Sequence, residues 1–333
     1  MVRIGQSMHP NYVNGDLSKL DDELKQFVEA GASACELVLQ GLDVIIGAKV
    51  IESRQDALIK ILRKHDLEYT MHMPHSLNLL DTEMLDIYLE IFRASIAFAQ
   101  AAEIKLLNYH AGKIRERKPE PAGTRRRSRP LADEALANAS SVDAAPTDGS
   151  VQEQEDKPDP KTLIKNEMEH IRLLAGSAPE ILFCMENALF TDDKEFDEFS
   201  SAINVSDMIS FCQGVNQKNF KLTFDIGHRF LALDGDKHTL LEDMKTLLPF
   251  VGHIHLHDNC GNRKDSRDGF GGQRLVIGAG DIHLPLGWGA VPIREAVELL
   301  KDYEGIINLE IEQRFSYHYS DAISIVRNYL ELT

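Results

Sequence analysis

Eight short runs of aliphatic and β-branched residues recur along the chain, and stretches of helical period separate them. The runs cover residues 2–7, 34–39, 69–72, 105–110, 181–186, 221–225, 251–255 and 306–310. Between the first two, "LSKLDDELKQFVEAG" places Leu17, Leu20, Leu24, Phe27 and Val28 at spacings of three and four, and Gly31 supplies the stop. "SRQDALIKILRKHD" and "EMLDIYLEIFRASIAFAQAAE" repeat the arrangement. Parallel strands need crossover helices and are covered on both faces, so they read as nearly continuous apolar runs. Eight such units predict an α/β fold, a (β/α)8 TIM barrel. A doubly wound open sheet is the competing architecture.

One stretch breaks the repeat. Residues 113–160 carry almost no large apolar side chain and are rich in Pro, Ala, Ser and charge, which predicts a disordered low-complexity insertion after the fourth strand of a single domain spanning 1–333. Its first part is basic around "TRRRSR" and its second is acidic, as suits a solvated tether, self-association or a nucleic-acid-binding arm. Without it about 285 residues remain, close to one barrel with its loops.

A net charge of -17 disfavours broad adhesion to nucleic acid or to an anionic membrane. No apolar run is long enough to cross a bilayer, and "VRIGQS" opens the chain without a signal pattern, so the expectation is a cytoplasmic protein with no membrane partner. Four cysteines without a CxxC pair suggest neither a disulfide framework nor a thiolate zinc site, and are expected to be inert core thiols.

From the third run onward, nearly every strand ends in an ionisable residue: His72, His110, Glu186, Asp225, His255 and Glu310. In a closed barrel these C-terminal ends form one mouth, where active sites are built. "DIGH" adds His228 beside Asp225, and "DIHLPLGWG" adds Asp281 and His283, although His283 could simply sit on a loop. "VGHIHLHDNC" sets His253, His255 and His257 on one face of a strand. Four carboxylates in one poorly hydrated mouth repel unless protonated or bridged by cations. One divalent ion would leave about two negative charges, whereas three would leave a net positive centre able to hold hydroxide and an anionic substrate. Nitrogen and oxygen donors without thiolate suit Zn, Mn or Fe(II) better than Mg or Ca.

These motifs resemble the xylose isomerase-like TIM-barrel superfamily (AP endonuclease family 2), and the ligand pattern is similar to that of the endonuclease IV family. "HMPHSLN" supplies His72 with Asn78 six positions on, "NYHAG" supplies His110, and "EN" supplies Glu186 and Asn187. "DIGH", "HLHD", "DIHLPLGWG" and the final "LE" match the remaining elements, which assigns His255 as ligand and leaves His253 and His257 as pore-facing neighbours. The resemblance implies up to three divalent ions, with zinc expected and Mn or Fe as alternatives, and hydrolysis of a phosphoester. His72 and His110 would share one position with a bridging Glu186; Asp225, Glu310 and His255 would frame a second, and His228, Asp281 and His283 a third. His75 stands where that family places an aromatic wedge, and with Asn187 and His257 is expected to touch substrate. The loop after the seventh strand adds Arg263 and Arg267, among other basic residues, as a candidate lid that grips phosphate, with a solvated charged loop as the alternative reading. The DNA-recognition loop of that family has no counterpart, because "QGLDVIIGAKV" lacks arginine, so the substrate is expected to be phosphorylated or sugar-like, with DNA an open partner.

"HLHDN" followed by "HLPLGWG" is also very similar to sugar phosphate isomerases and epimerases. That likeness implies a single metal held by Glu186, Asp225, His255 and Glu310, with Glu186 and Glu310 as catalytic groups exchanging protons with a substrate carbon. It leaves five matched ligands without a role, so the sequence alone ranks it second.

Overall fold

The computed structural model describes residues 2–117, 158–188, 196–263 and 271–332. Eight parallel strands close into a barrel: β1 Arg3–Ser7, β2 Ala34–Val38, β3 Glu68–His72, β4 Leu106–His110, β5 Leu182–Glu186, β6 Phe220–Asp225, β7 Val251–Leu256 and β8 Ile306–Leu309. Neighbours follow chain order, and β1 closes the ring against both β2 and β8. Each expected strand is present with ends within one residue of the sequence reading, and the open-sheet alternative is excluded.

The outer ring comprises α1 Leu17–Ala30, α2 Glu52–Leu62, α3 Leu85–Ala101, α4 Pro160–Ser177, α5 Val205–Val215, α6 Lys237–Leu247, α7 Ile293–Glu298 and α8 Tyr319–Tyr329. α1 shows how sequence sets these elements. The Asp16 side chain accepts from the Ser18 N–H at the start, and Gly31 ends the helix at φ 92°, where a side chain would be strained. Its apolar stripe buries Leu20, Leu24 and Phe27, and the Phe27 ring meets Tyr319 of α8 edge-on at 5.6 Å. Each such side chain contributes about 1.5–3 kcal/mol by leaving water. The core proper therefore lies between barrel and helices.

The barrel interior is polar instead, lined by Glu36, Thr70, Asn108, Thr223, His253 and Asn308, all buried. Two hydrogen-bonded chains run up it. Thr223 donates to Asn108 at 2.7 Å, and the Asn108 amide donates to Glu186 at 2.7 Å. On the other side the Asn308 amide donates to Ser7 at 2.6 Å, and Ser7 donates to Glu310 at 3.2 Å. Each chain ends on a carboxylate of the mouth. A bulge between β6 and β7 shifts the pairing from Leu222↔Val251 to Thr223↔His253, and from there His253 and His255 both face the pore.

Two small antiparallel pairs decorate the mouth side: Ile45–Ile46 with Lys49–Val50, and Ile114–Arg117 with Phe196–Phe199. Of the segment expected to be an insertion, 114–117 is therefore a strand, Asp159 caps α4, and 118–157 lie outside the described residues. Cys35 and Cys184 are buried as expected and Cys212 is half-buried, but Cys260 is exposed, because it follows β7 on a loop rather than inside a strand. Among the described residues no helix is long and apolar enough to cross a membrane.

Candidate metal centre

All nine groups anticipated as ligands converge at the C-terminal mouth. His72 Nε2 and His110 Nε2 lie 3.2 and 3.5 Å from one oxygen of Glu186, and His228 Nδ1 lies 3.1 Å from the other. His255 Nδ1 faces three carboxylates at once, Glu310 at 3.3 Å, Glu186 at 3.5 Å and Asp225 at 3.9 Å. Asp281 meets His283 Nε2 at 2.9 Å and His228 Nε2 at 3.3 Å. The donor atoms fall into tight groups: His72–His110–Glu186, Glu186–Asp225–His255, and His228–Asp281–His283 joined by His257.

Local structure explains the convergence. Asp225 ends β6 and caps the short helix Ile226–Ala232 by accepting from the His228 N–H at 2.7 Å, which turns His228 over the pore. Asn187 brackets Asp225 by donating to its carbonyl at 3.0 Å and accepting from its N–H at 2.6 Å. Asn78 binds both the N–H and the carbonyl of Lys113, and so ties the loop after β3 to the loop after β4.

Asp258 anchors the Asp281–His283 loop. Its carboxylate accepts four backbone N–H groups, from Asn259, Gly287, Gly289 and Val291, at 2.8–3.1 Å. A reciprocal backbone pair with Leu284 adds to this. Gly289 is required here, since a Cβ would lie 2.4 Å from the Asp258 oxygen.

Burial alone would raise Glu186, but His255 and His110 outweigh it and hold the carboxyl well below its ordinary range. Burial likewise opposes the lowering of Asp281, which His283 and His228 carry, and that of Asp225, which His228 and His257 carry down to about 2. The imidazoles answer in kind. Burial would lower them, yet Asp225 and Asp281 push His228 well up, Glu310 and Glu36 push His255 well up, and Asp281 takes His283 to about 10. Without a cation the mouth balances its carboxylates with imidazolium protons. Even so, Asp225 Oδ2, His228 Nδ1, His255 Nδ1, His257 Nε2 and Asp281 Oδ1 are buried without a hydrogen-bond partner. Five such atoms on one oxygen and nitrogen donor set fit divalent cations.

The centre opens into a cavity of about 630 Å³, lined on the far side by His9, Tyr12, Gln313 and Arg314. His75 lines it too, stacked on His110 at 5.1 Å and held by Gln40, which accepts from the His75 N–H at 2.8 Å. His257 and Asn187 are buried against ligands rather than lining the cavity; His257 stacks on His283 at 4.0 Å. Arg263 turns away to pair with Asp234 at 2.9 Å, and Arg267 lies outside the described residues.

Sequence reasoning gave Glu36 and Asp258 no role. Glu36 carried a signal, a carboxylate in the middle of the apolar run "ACELV". Asp258 was visible only as the last letter of "HLHD".

The family described as the xylose isomerase-like TIM barrel matches residues 24–325. An uncharacterized protein of Methanocaldococcus jannaschii is 27% identical over 135 residues, 39% of this chain, and the match spans 38% of that relative's length. Among solved structures, a D-tagatose 3-epimerase-like protein superposes with a TM-score of 0.63 at 19% identity, covering 99% of this chain and 97% of the other. D-psicose 3-epimerase from Clostridium cellulolyticum H10, solved with D-tagatose, gives 0.62 at 13% identity, with 98% and 99% covered. A xylose isomerase-like TIM barrel protein from Mycobacterium smegmatis, solved with magnesium, gives 0.62 at 16% identity, with 99% and 98% covered.

Proposed function

Because the chain belongs to the xylose isomerase-like TIM-barrel family, we propose that it is a metal-dependent enzyme that isomerises or epimerises a sugar-like substrate. The observation that carries this is the quartet around His255. Glu186 and Glu310 both approach its Nδ1, at 3.5 and 3.3 Å, Asp225 completes the set at 3.9 Å, and both glutamates line the cavity. Two carboxylates flanking one reacting carbon can remove a proton from one face and return it to the other. The sequence alone ranks hydrolysis first; the epimerases among the structural neighbours support the isomerase reading and move it ahead.

Glu186, Asp225, His255 and Glu310 would hold the ion. A bound divalent ion supplies Lewis acidity toward the substrate carbonyl and its neighbouring hydroxyl. Glu186 is held ionised, as a base at neutral pH must be, and the Asn108 amide fixes its orientation. Ser7 does the same for Glu310. His75 and Arg314 border the space left for the rest of the sugar.

The test is wash-in of deuterium from D2O into a panel of ketoses and ketose phosphates, read by mass spectrometry with wild type and with Glu310→Gln. Deuterium at the carbon beside the carbonyl with wild type, reduced on the order of a hundredfold or more in the variant, is the expected outcome. Absence of exchange across the panel by metal-loaded protein would sink the reading.

A second reading has its own observation. His72 and His110 with Glu186, and His228, Asp281 and His283 together, form two further donor groups that a single-ion isomerase does not need. They suit phosphoester hydrolysis at up to three Zn, Mn or Fe ions, with DNA or a phosphorylated sugar as substrate. Elemental analysis of freshly purified protein separates the two, near one tightly held ion per chain against near three.

A further inference from the structure

Beneath the metal centre, one carboxylate contacts two imidazoles in full burial. Glu36 of β2, His253 and His255 all have zero exposure. Glu36 Oε2 lies 2.9 Å from His253 Nε2 and accepts from Thr70 Oγ1 at 3.4 Å, while Oε1 and His255 Nε2, neither of which has another partner among the described residues, face each other at 3.0 Å without the alignment of a hydrogen bond. We infer that Glu36 is a positioning residue that fixes the tautomer and ring orientation of His255 so that its Nδ1 lone pair faces Glu186, Asp225 and Glu310. This rests on the metal-centre reading above.

An ionised carboxylate can only accept, so the ring nitrogens facing it must carry the protons. With the proton of His255 on Nε2, Nδ1 is left as a bare donor, and Nδ1 is the atom that points to the three mouth carboxylates at 3.3–3.9 Å. The reverse tautomer would set an Nε2 lone pair against the Glu36 lone pairs and block Nδ1 with a proton. The His253 ring, edge-on to His255 at 5.0 Å, stops the ring from swinging down the pore. His72 lies over its other face at 6.1 Å.

Burying an ion of this kind is costly. The contacts holding Glu36 among the described residues are the two imidazoles and the Thr70 hydroxyl, with no lysine or arginine. A neutral side chain would fill the space at lower cost, so packing alone does not call for a carboxylate. Orientation of a ligating histidine by a carboxylate on its far nitrogen does.

The experiment titrates metal-free wild type, Glu36→Gln and Thr70→Val with Co2+ alone, following the visible d–d bands in competition with a chelator. No substrate is used, so the outcome is independent of which reaction the enzyme performs. The Gln amide presents N–H to one of the two rings and favours the wrong tautomer there. Expected are Co2+ affinity lower by roughly 10–100-fold and an altered d–d spectrum for Glu36→Gln, with Thr70→Val near wild type. Because the Gln oxygen can still face His255, Glu36→Leu is titrated alongside, and wild-type Co2+ affinity and spectrum in both variants overturn the inference. Should these variants not fold, long-range 1H–15N spectra of zinc-loaded wild type decide it: His255 coordinated through Nδ1 with a proton on Nε2 supports the assignment, and coordination through Nε2 refutes it.

Discussion

Asp258→Asn removes one oxygen from a carboxylate that serves four backbone donors. In the native site Oδ1 takes the N–H groups of Asn259 and Val291 at 2.8 and 3.1 Å, and Oδ2 takes those of Gly287 and Gly289, both at 2.9 Å. Whichever way the amide is placed, its NH2 faces two N–H groups that then have no acceptor. Asp258 is 1% exposed, so water does not replace the lost oxygen. Hydrogen bonds to a charged group are each worth about 1.5–3 kcal/mol, so the two lost bonds cost roughly 3–6 kcal/mol. A chain of this length unfolds with an entropy of about 0.7 kcal/mol per kelvin, which corresponds to a fall in Tm of about 4–9 °C. Detachment of the 284–292 loop alone would cap the global loss, and the deficit would then appear as faster amide exchange there. Urea unfolding together with hydrogen-exchange mass spectrometry reads both outcomes. Metal content should fall too, since Asp281 and His283 lead directly into this loop while His72, His110 and Glu186 do not. Stability within about 1 kcal/mol of wild type, with loop protection unchanged, would refute the account of Asp258 as the anchor.

Metal binding should release protons and strengthen as pH rises. His228, His255 and His283 are raised above their ordinary value, His283 to about 10, so at neutral pH they carry protons that a cation must displace. Calorimetry in buffers of different ionisation heat counts those protons, and a pH-independent affinity between 6.5 and 9 would contradict the charge balance drawn here. Burial raises the Glu167 carboxyl to about 7 from 4.5, against the opposing hydrogen bonds from Gly112 and Ser201. The folded state thus holds a proton that the unfolded chain sheds above pH 4.5. Relative to Glu167→Gln, wild-type stability should be constant below about pH 4.5 and fall by roughly 3 kcal/mol as pH climbs to about 7, as denaturant titrations at several pH values will read. Arg263→Ala should leave KM within about twofold, because its guanidinium pairs with Asp234 rather than lining the cavity; a tenfold rise would restore the loop after β7 as a substrate grip.

The barrel was legible because its physics is local. Apolar runs of four to six residues between amphipathic stretches fit few other architectures, and they located every strand to within a residue. The nine mouth groups were legible for a related reason: ionisable residues such as Glu186 in "LFCME" and Asp225 in "LTFD" end runs that are otherwise buried. Glu36 escaped because it sits in mid-strand, where no ligand motif reaches, and its partner His253 lies 217 positions away. The grip of Asp258 on its loop was invisible because its partners are backbone N–H groups, which every residue but proline carries. The β6–β7 bulge left no trace beyond a glycine at position 252.

Gly227, the third residue of "DIGH", lies beneath the His257 ring, where an added Cβ would fall 2.2 Å from its Cε1. The two positions are 30 apart in the chain and compete for one volume. Homologues with alanine or serine at the first should therefore carry a smaller side chain at the second. Such a pair, changing together across evolution, would mark lineages whose third imidazole beside Asp281 has been traded away.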